Sequence, residues 1–207
     1  MNGLKLLGID KRTGKLRDFD PVDRYLRQLE QTVHNMPRDQ IWAVIDVLMG
    51  AWRERRQIFL LGNGGSAATA SHMANDLNKL TITDGKPRFK VIALTDNVPL
   101  ITAWGNDTAY EDIFAEQMLN FLEPGDVVIG ISASGKSPNV LKAIRVAKNH
   151  GAVTIGFTGD KGGQLKELVD YYVIIPDEHI CRQEDGHVIL EHAIANTLRD
   201  LIRAEAS

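Results

Sequence analysis

Ile58-Phe59-Leu60-Leu61-Gly62-Asn63-Gly64-Gly65-Ser66-Ala67-Ala68-Thr69-Ala70-Ser71-His72-Met73-Ala74-Asn75-Asp76 holds three signals in succession. The apolar run 58–61 has the length and continuity of a strand buried on both faces. Gly62 to Gly65 form a turn in which bare backbone can approach a ligand. Ser66 is a residue type that caps helices, and Ala67 to Leu80 reads as a helix rich in small residues. Strand, glycine turn and helix N-terminus together make an anion site, because free N–H groups and the helix dipole point at the turn. His72 and Asp76, four residues apart, share one face of that helix.

Working outward, short β-rich runs alternate with helices. Strands are expected at Val91–Leu94, Asp126–Ile131, Val153–Phe157 and Tyr171–Ile175. Helices are expected at Pro99–Trp104, Tyr110–Phe121, Asn139–His150 and Gln164–Leu168, with a turn at Gly105-Asn106-Asp107. Pro176 to Gln183 reads as a loop, and a last helix starts at Glu184 or Asp185 and runs through Ile202. The alternation implies an α/β fold: a doubly wound, mainly parallel five-stranded sheet flanked by helices. Two helices precede it. One starts at Pro21 with Asp20 as its cap, and the other runs from Pro37 to about Arg55. Residues 1–20 read as an N-terminal extension, either a small hairpin around Thr13-Gly14 or a mobile tail, and 21–207 as one domain. Ligands of such sheets bind beyond the carboxyl ends of the strands. Here those ends read Gly-Asn-Gly-Gly-Ser, Thr-Asp-Asn, Ser-Ala-Ser-Gly-Lys-Ser and Thr-Gly-Asp-Lys-Gly-Gly, all on one edge. Asp96 is a candidate by that position alone.

Composition narrows the function class. The chain has 207 residues, 43% hydrophobic and 25% charged, ordinary for a soluble globular protein. A net charge of −3 gives no support to general nucleic-acid binding. No apolar run reaches the length of a membrane helix. Cys181, the single cysteine, excludes an intrachain disulfide and suits a reducing cytoplasm.

Ser132, Ser134 and Ser137 with Gly135 lie between a buried strand and a helix start. Three hydroxyls and adjacent N–H groups can wrap a phosphate without a cationic side chain. The loop fails both the Walker pattern and the dinucleotide fingerprint. The bland readings are a capped helix start for the serines and a surface or packed pair for His72 and Asp76. His187 and Glu191, four apart, read as a helix surface pair. Trp42, Trp52 and Trp104 read as core or subunit contacts, and Cys181 as an inert loop thiol.

Gly-Asn-Gly-Gly-Ser-Ala-Ala at 62–68, Gly-Ile-Ser-Ala-Ser-Gly-Lys-Ser-Pro-Asn-Val at 130–140 and Thr-Gly-Asp-Lys-Gly-Gly at 158–163 resemble the sugar isomerase (SIS) domain family. The glycine turn, the two N-terminal helices and Trp104-Gly105-Asn106-Asp107 favour its phosphoheptose isomerase branch, over roughly residues 20–202. The resemblance implies that Ser132, Ala133, Ser134 and Ser137 bind the phosphate of a sugar. It implies that Asn63, Gly64, Gly65, Asn106 and Asp107 also contact the substrate. It further implies that His72, Asp76, Glu184 and His192 converge on the reacting carbons and bind a divalent metal, most simply zinc, with Asp76 and His192 as the acid–base pair. Asp76 replaces the family's glutamate, Glu184 its glutamine, and Cys181 an aspartate often found before the arginine. A register one residue earlier would put Gln183 in the place of Glu184. The implied activity is aldose–ketose isomerisation of sedoheptulose 7-phosphate through an enediol, in a cytoplasmic homotetramer with sites at subunit interfaces. A non-catalytic regulator of replication initiation and an isomerase of another sugar phosphate are the alternatives that the changes at Asp76 and Glu184 leave open.

Overall fold

A computed structural model describes residues 20–205. The expected N-terminal extension and its hairpin fall almost wholly outside the described residues. Five strands form a single sheet: β1 (Gln57–Gly62), β2 (Lys90–Ala93), β3 (Val127–Ser132), β4 (Val153–Thr158) and β5 (Tyr171–Ile174). Their order is β2-β1-β3-β4-β5, and every neighbouring pair is parallel. Leu60 pairs with Ile129, and Ile129 with Ile155, at the centre of the sheet. All six residues of β3 are buried, whereas edge strand β2 alternates exposed and buried. Central parallel strands are covered on both faces, which explains why β1 and β3 are continuous apolar runs.

Helices α1 (Pro21–His34), α2 (Arg38–Arg53), α3 (Gly65–Lys79) and α8 (Ile180–Ala204) lie together on one face. Their core joins Leu48, Met73, Leu77, Leu190, Ile194 and Leu198 to Ile58, Leu60 and Ile129. The other face carries α4 (Val98–Asp107), a single 3-10 turn (Tyr110–Asp112), α5 (Ala115–Leu119), α6 (Pro138–Asn149) and α7 (Gly163–Leu168). There Phe59, Val128, Phe114, Met118 and Ile144 pack together. No helix among the described residues is long and apolar enough to cross a membrane.

Asp20 caps α1 as expected, accepting from the N–H groups of Val22 and Asp23. Four local expectations need correction. Gly64, not Ser66, is the N-cap of α3; its φ of 54° and ψ of −122° suit glycine, and Ser66 is already inside the helix and buried. Asn106 and Asp107 belong to the last turn of α4 rather than to a turn, since Asn97 accepts from Leu100 N–H and Trp104 carbonyl still receives Thr108 N–H. The segment 110–121 breaks into the 3-10 turn and α5 instead of one helix, with Ile113 and Phe114 buried at the break. Finally, α8 begins at Ile180, so Cys181, Arg182 and Gln183 are helical. Arg182 ties this first turn back to Asp177 through Nε–Oδ2 (2.7 Å) and Nη2–Oδ1 (2.9 Å) bonds.

Candidate active site at the carboxyl edge

Two groups of residues carry the candidate chemistry. The first follows β3. Ser132 Oγ lies 3.4 Å from Ser134 Oγ and 3.2 Å from Ser137 Oγ, so the three hydroxyls converge. Gly135 turns the loop with φ 61°, and its N–H returns to the carbonyl of Ser132 (2.9 Å). Ser137 is the N-cap of the twelve-residue helix α6, and its side chain makes no capping bond, so the hydroxyl stays with the other serines. Hydroxyls and a helix N-terminus around one small space suit a phosphate. Ala133 is half-buried in the same loop and holds it to β4 by accepting from Gly159 N–H (3.0 Å).

The glycine turn is stapled to this loop. Asn63 and Asn139 exchange two amide hydrogen bonds, Asn63 Nδ2 to Asn139 Oδ1 (2.9 Å) and Asn139 Nδ2 to Asn63 Oδ1 (2.8 Å). The hydroxyl of exposed Tyr110 also donates to Asn63 Oδ1 (3.1 Å). The Asn63 side chain is therefore engaged by protein. Asn106 and Asp107 bond to each other (2.8 Å) on the exposed end of α4. It is Tyr110, three residues further on, that reaches the glycine turn from this segment. Asp96 accepts from Ser71 and Thr95 and lines a separate open cavity along β2 with Asn75 and Asn78.

The second group comes from α3 and α8. His72, Asp76, Glu191 and His192 offer ligand atoms that all lie within 4.8 Å of one another. His72 Nδ1 is 3.4 Å from Glu191 Oε1, His192 Nε2 is 3.3 Å from the same oxygen, and His192 Nε2 is 3.7 Å from Asp76 Oδ2. The two imidazoles meet edge to face, 4.7 Å between centroids. Glu191 is 0% exposed, and neither carboxylate oxygen has a hydrogen-bond donor among the described residues. Burial, with the Asp76 charge next to it, pushes its carboxyl up to about 8. Ligand atoms about 2.0–2.1 Å from a tetrahedral ion stand roughly 3.3–3.4 Å apart, close to the spacings around Glu191 Oε1. An orphaned buried carboxylate between two imidazoles fits a divalent cation.

Of the four residues that the resemblance placed here, the structure gathers His72, Asp76 and His192 and leaves Glu184 outside. Gln183 is not in the group either; its amide donates to the Asp177 carbonyl. Glu184 lies against the glycine turn, where a Cβ on Gly65 would come 2.7 Å from Glu184 Oε1. Glu191 and His187 are not a surface pair, since both are fully buried. His187 sits beneath the group, its Nε2 3.3 Å from Thr158 carbonyl and its ring stacked on Phe157. Burial pushes its imidazole down to about 4, against the weaker effect of the Thr158 bond. One signal pointed to both residues. The buried stripe Ile202, Leu198, Ala195, Ile194 and Leu190, continued toward the N-terminus at steps of three and four, falls on Glu191 and His187.

A family model described as SIS domain matches residues 22–159. The chain is 38% identical to a phosphoheptose isomerase of Burkholderia pseudomallei over 162 residues, covering 78% of this chain and 82% of that protein. It is 36% identical to a phosphoheptose isomerase of Crocosphaera subtropica, covering 91% of this chain and 88% of the other. Among solved structures, the phosphoheptose isomerase of Neisseria gonorrhoeae superposes with a TM-score of 0.80 at 26% identity, covering 86% of this chain and 97% of that one.

Proposed function

The chain belongs to the SIS domain family, in its phosphoheptose isomerase branch, and from that premise we propose that it interconverts sedoheptulose 7-phosphate and an aldoheptose 7-phosphate. One observation carries the reading on this chain's own residues. The chain carries both a hydroxyl-lined anion loop after β3 and, between α3 and α8, a cluster of two imidazoles and two carboxylates. Isomerisation needs both: a grip on the charged tail of the sugar, and groups that move protons between neighbouring carbons and their oxygens.

Ser132, Ser134 and Ser137 hold the phosphate, with the backbone of Ala133 and the N-terminus of α6. The backbone of Gly64 and Gly65 contacts the sugar, held by the Asn63–Asn139 pair, and Asn106 and Asp107 add further polar contacts to it. Asp76 takes the proton from carbon. His192, half-exposed beside it, exchanges the proton at the carbonyl oxygen, so an enediol forms and collapses on the neighbouring carbon. His72, Asp76, Glu191 and His192 would hold a divalent ion, by donor type zinc, which supplies Lewis-acid polarisation of the carbonyl. Burial of Glu191 and the packing of α8 on α3 keep the carboxylates dry, which strengthens their interactions with charge.

The protein works as a cytoplasmic homotetramer. In α1 only Thr32 is buried in the single chain, while Val22 and Leu26 are exposed at 65% and 57%. Exposed Trp42 borders an apolar groove lined by Val33, Met36, Ile41 and Ile189. Such apolar surface on adjacent helices suits closed subunit contacts.

The test is turnover of sedoheptulose 7-phosphate followed by NMR, before and after treatment with a strong chelator. The expected outcome is conversion to the aldose phosphate that falls on metal removal and returns on zinc addition. No conversion of this or any other ketose phosphate by metal-replete protein would overturn the isomerase reading. Light scattering on the same sample checks the fourfold mass.

A further inference from the structure

Glu184 and Glu191 lie seven residues apart on α8, which places them about 20° apart around the helix and about 10 Å apart along it. They belong to one stripe at two different heights. On α3, Gly65 and His72 are also seven residues apart. The two steps match: Glu184 lies against Gly65, and Glu191 against His72 at 3.4 Å. The parallel packing of the two helices therefore sets Glu184 level with the start of α3, two turns before His72, and it offers no atom to the group of His72, Asp76, Glu191 and His192.

The two carboxylates also differ in their surroundings. Glu184 is half-buried and lines a cavity of about 260 Å3 with Gly65, Thr69, His72 and Asp185. It stands at the N-terminus of α3. Glu191 is wholly buried, with no hydrogen-bond donor on either oxygen among the described residues. A buried carboxylate without a partner destabilises a fold and survives where a site needs it. Asp76, one methylene shorter than a glutamate, reaches less far from α3. Glu191 approaches from the opposite helix and places Oε1 between both imidazoles.

We propose that Glu191 is the fourth metal ligand of this chain and that Glu184 is not a ligand. The inference deepens the isomerase reading and rests on its metal site. The experiment uses full-length protein, stripped of metal and reloaded with zinc, as wild type, Glu184→Gln, Glu191→Gln and Glu191→Leu. Metal content is measured by plasma mass spectrometry and affinity by competition with a chromophoric chelator. Wild type and Glu184→Gln each bind one zinc per chain, with affinities within about threefold of each other. Glu191→Gln binds at least about 10–100-fold more weakly, the scale seen even for groups that only support a ligand. Glu191→Leu keeps the core filled, so its metal-free form melts higher than metal-free wild type, and added zinc no longer raises its Tm. Wild-type affinity in the Glu191 variants, or metal loss in Glu184→Gln, overturns the assignment alone. Failure of wild type to bind zinc, manganese, iron or cobalt overturns the metal reading along with it.

Discussion

At the anion end, Ser132, Ser134 and Ser137 come from six consecutive residues between β3 and α6. At the metal end, His72 and Asp76 come from α3 and Glu191 and His192 from α8, across more than half the chain. The first end is a local structure. Its donors are hydroxyls and backbone, and its turn is set by Gly135. The second end exists only because α3 packs on α8, and its carboxylates are shaped by burial. The lesson is that an anion can be gripped by a short loop, whereas a cluster that moves protons or holds metal needs a core behind it.

The comparison can be broken by separating the two ends. The largest effect is expected from Asp76→Asn and His192→Ala, which remove the acid–base pair. Each lowers kcat on the order of a thousandfold, while inhibition by inorganic phosphate, a probe of the serine loop, stays unchanged. Steady-state kinetics with phosphate as competitor checks this, and full activity in both variants would refute the pair.

Next comes stability against pH, which tests whether the metal end alone depends on a titrating core. His187 is fully buried and its folded pKa is depressed to about 4 from 6.5. The unfolded chain therefore binds the proton more readily. His187's contribution to stability is fully present above 6.5 and is lost as pH falls toward 4, by roughly 3 kcal/mol at most. Glu191, raised to about 8, adds an opposite slope over the same range, so the effect is read as a difference: urea midpoints of metal-free wild type should fall relative to those of His187→Leu between pH 7 and 4. An unchanged slope in that variant would remove His187 as its source.

A smaller effect is expected at the anion end. Ser137→Ala raises the inhibition constant for phosphate and lowers kcat/KM by about tenfold, the scale of one hydrogen bond to a charged group, with metal content untouched. Smaller still, Tyr110→Phe removes the hydroxyl that steadies Asn63 and raises KM by about two- to threefold. A change in metal content in either variant would show that the ends are coupled more tightly than the geometry implies.

Much of the fold can be read from local pattern. Continuous apolar runs become β1, β3 and β4, and glycine-rich carboxyl ends line one edge, because a parallel sheet buries both faces of its strands and opens its loops at one side. Errors arose where local preference met tertiary context. Ser66 is a good capping residue, yet Gly64 takes that position because the turn demands a positive φ. Helix α8 starts four or five residues earlier than its sequence suggests, held by Arg182 and Asp177; burial raises the Asp177 carboxyl, but bonds from Arg182, Thr32 and His179 N–H outweigh it and hold it at about 2. Glu191 reads as surface in the sequence because a carboxylate at four-residue spacing from a histidine is usually solvated, whereas the packing of α8 on α3 buries it.

The linear chain already determines the α/β alternation, the glycine turn, the serine loop and the imidazole and carboxylate on α3, since each follows from the chemistry of neighbouring residues. Which carboxylate of α8 joins them depends on how two helices lie against each other. That register is set by packing between residues far apart in sequence: Glu184 and Glu191 share one stripe, about 20° apart, and only the height at which α8 lies along α3 brings Glu191 rather than Glu184 against His72.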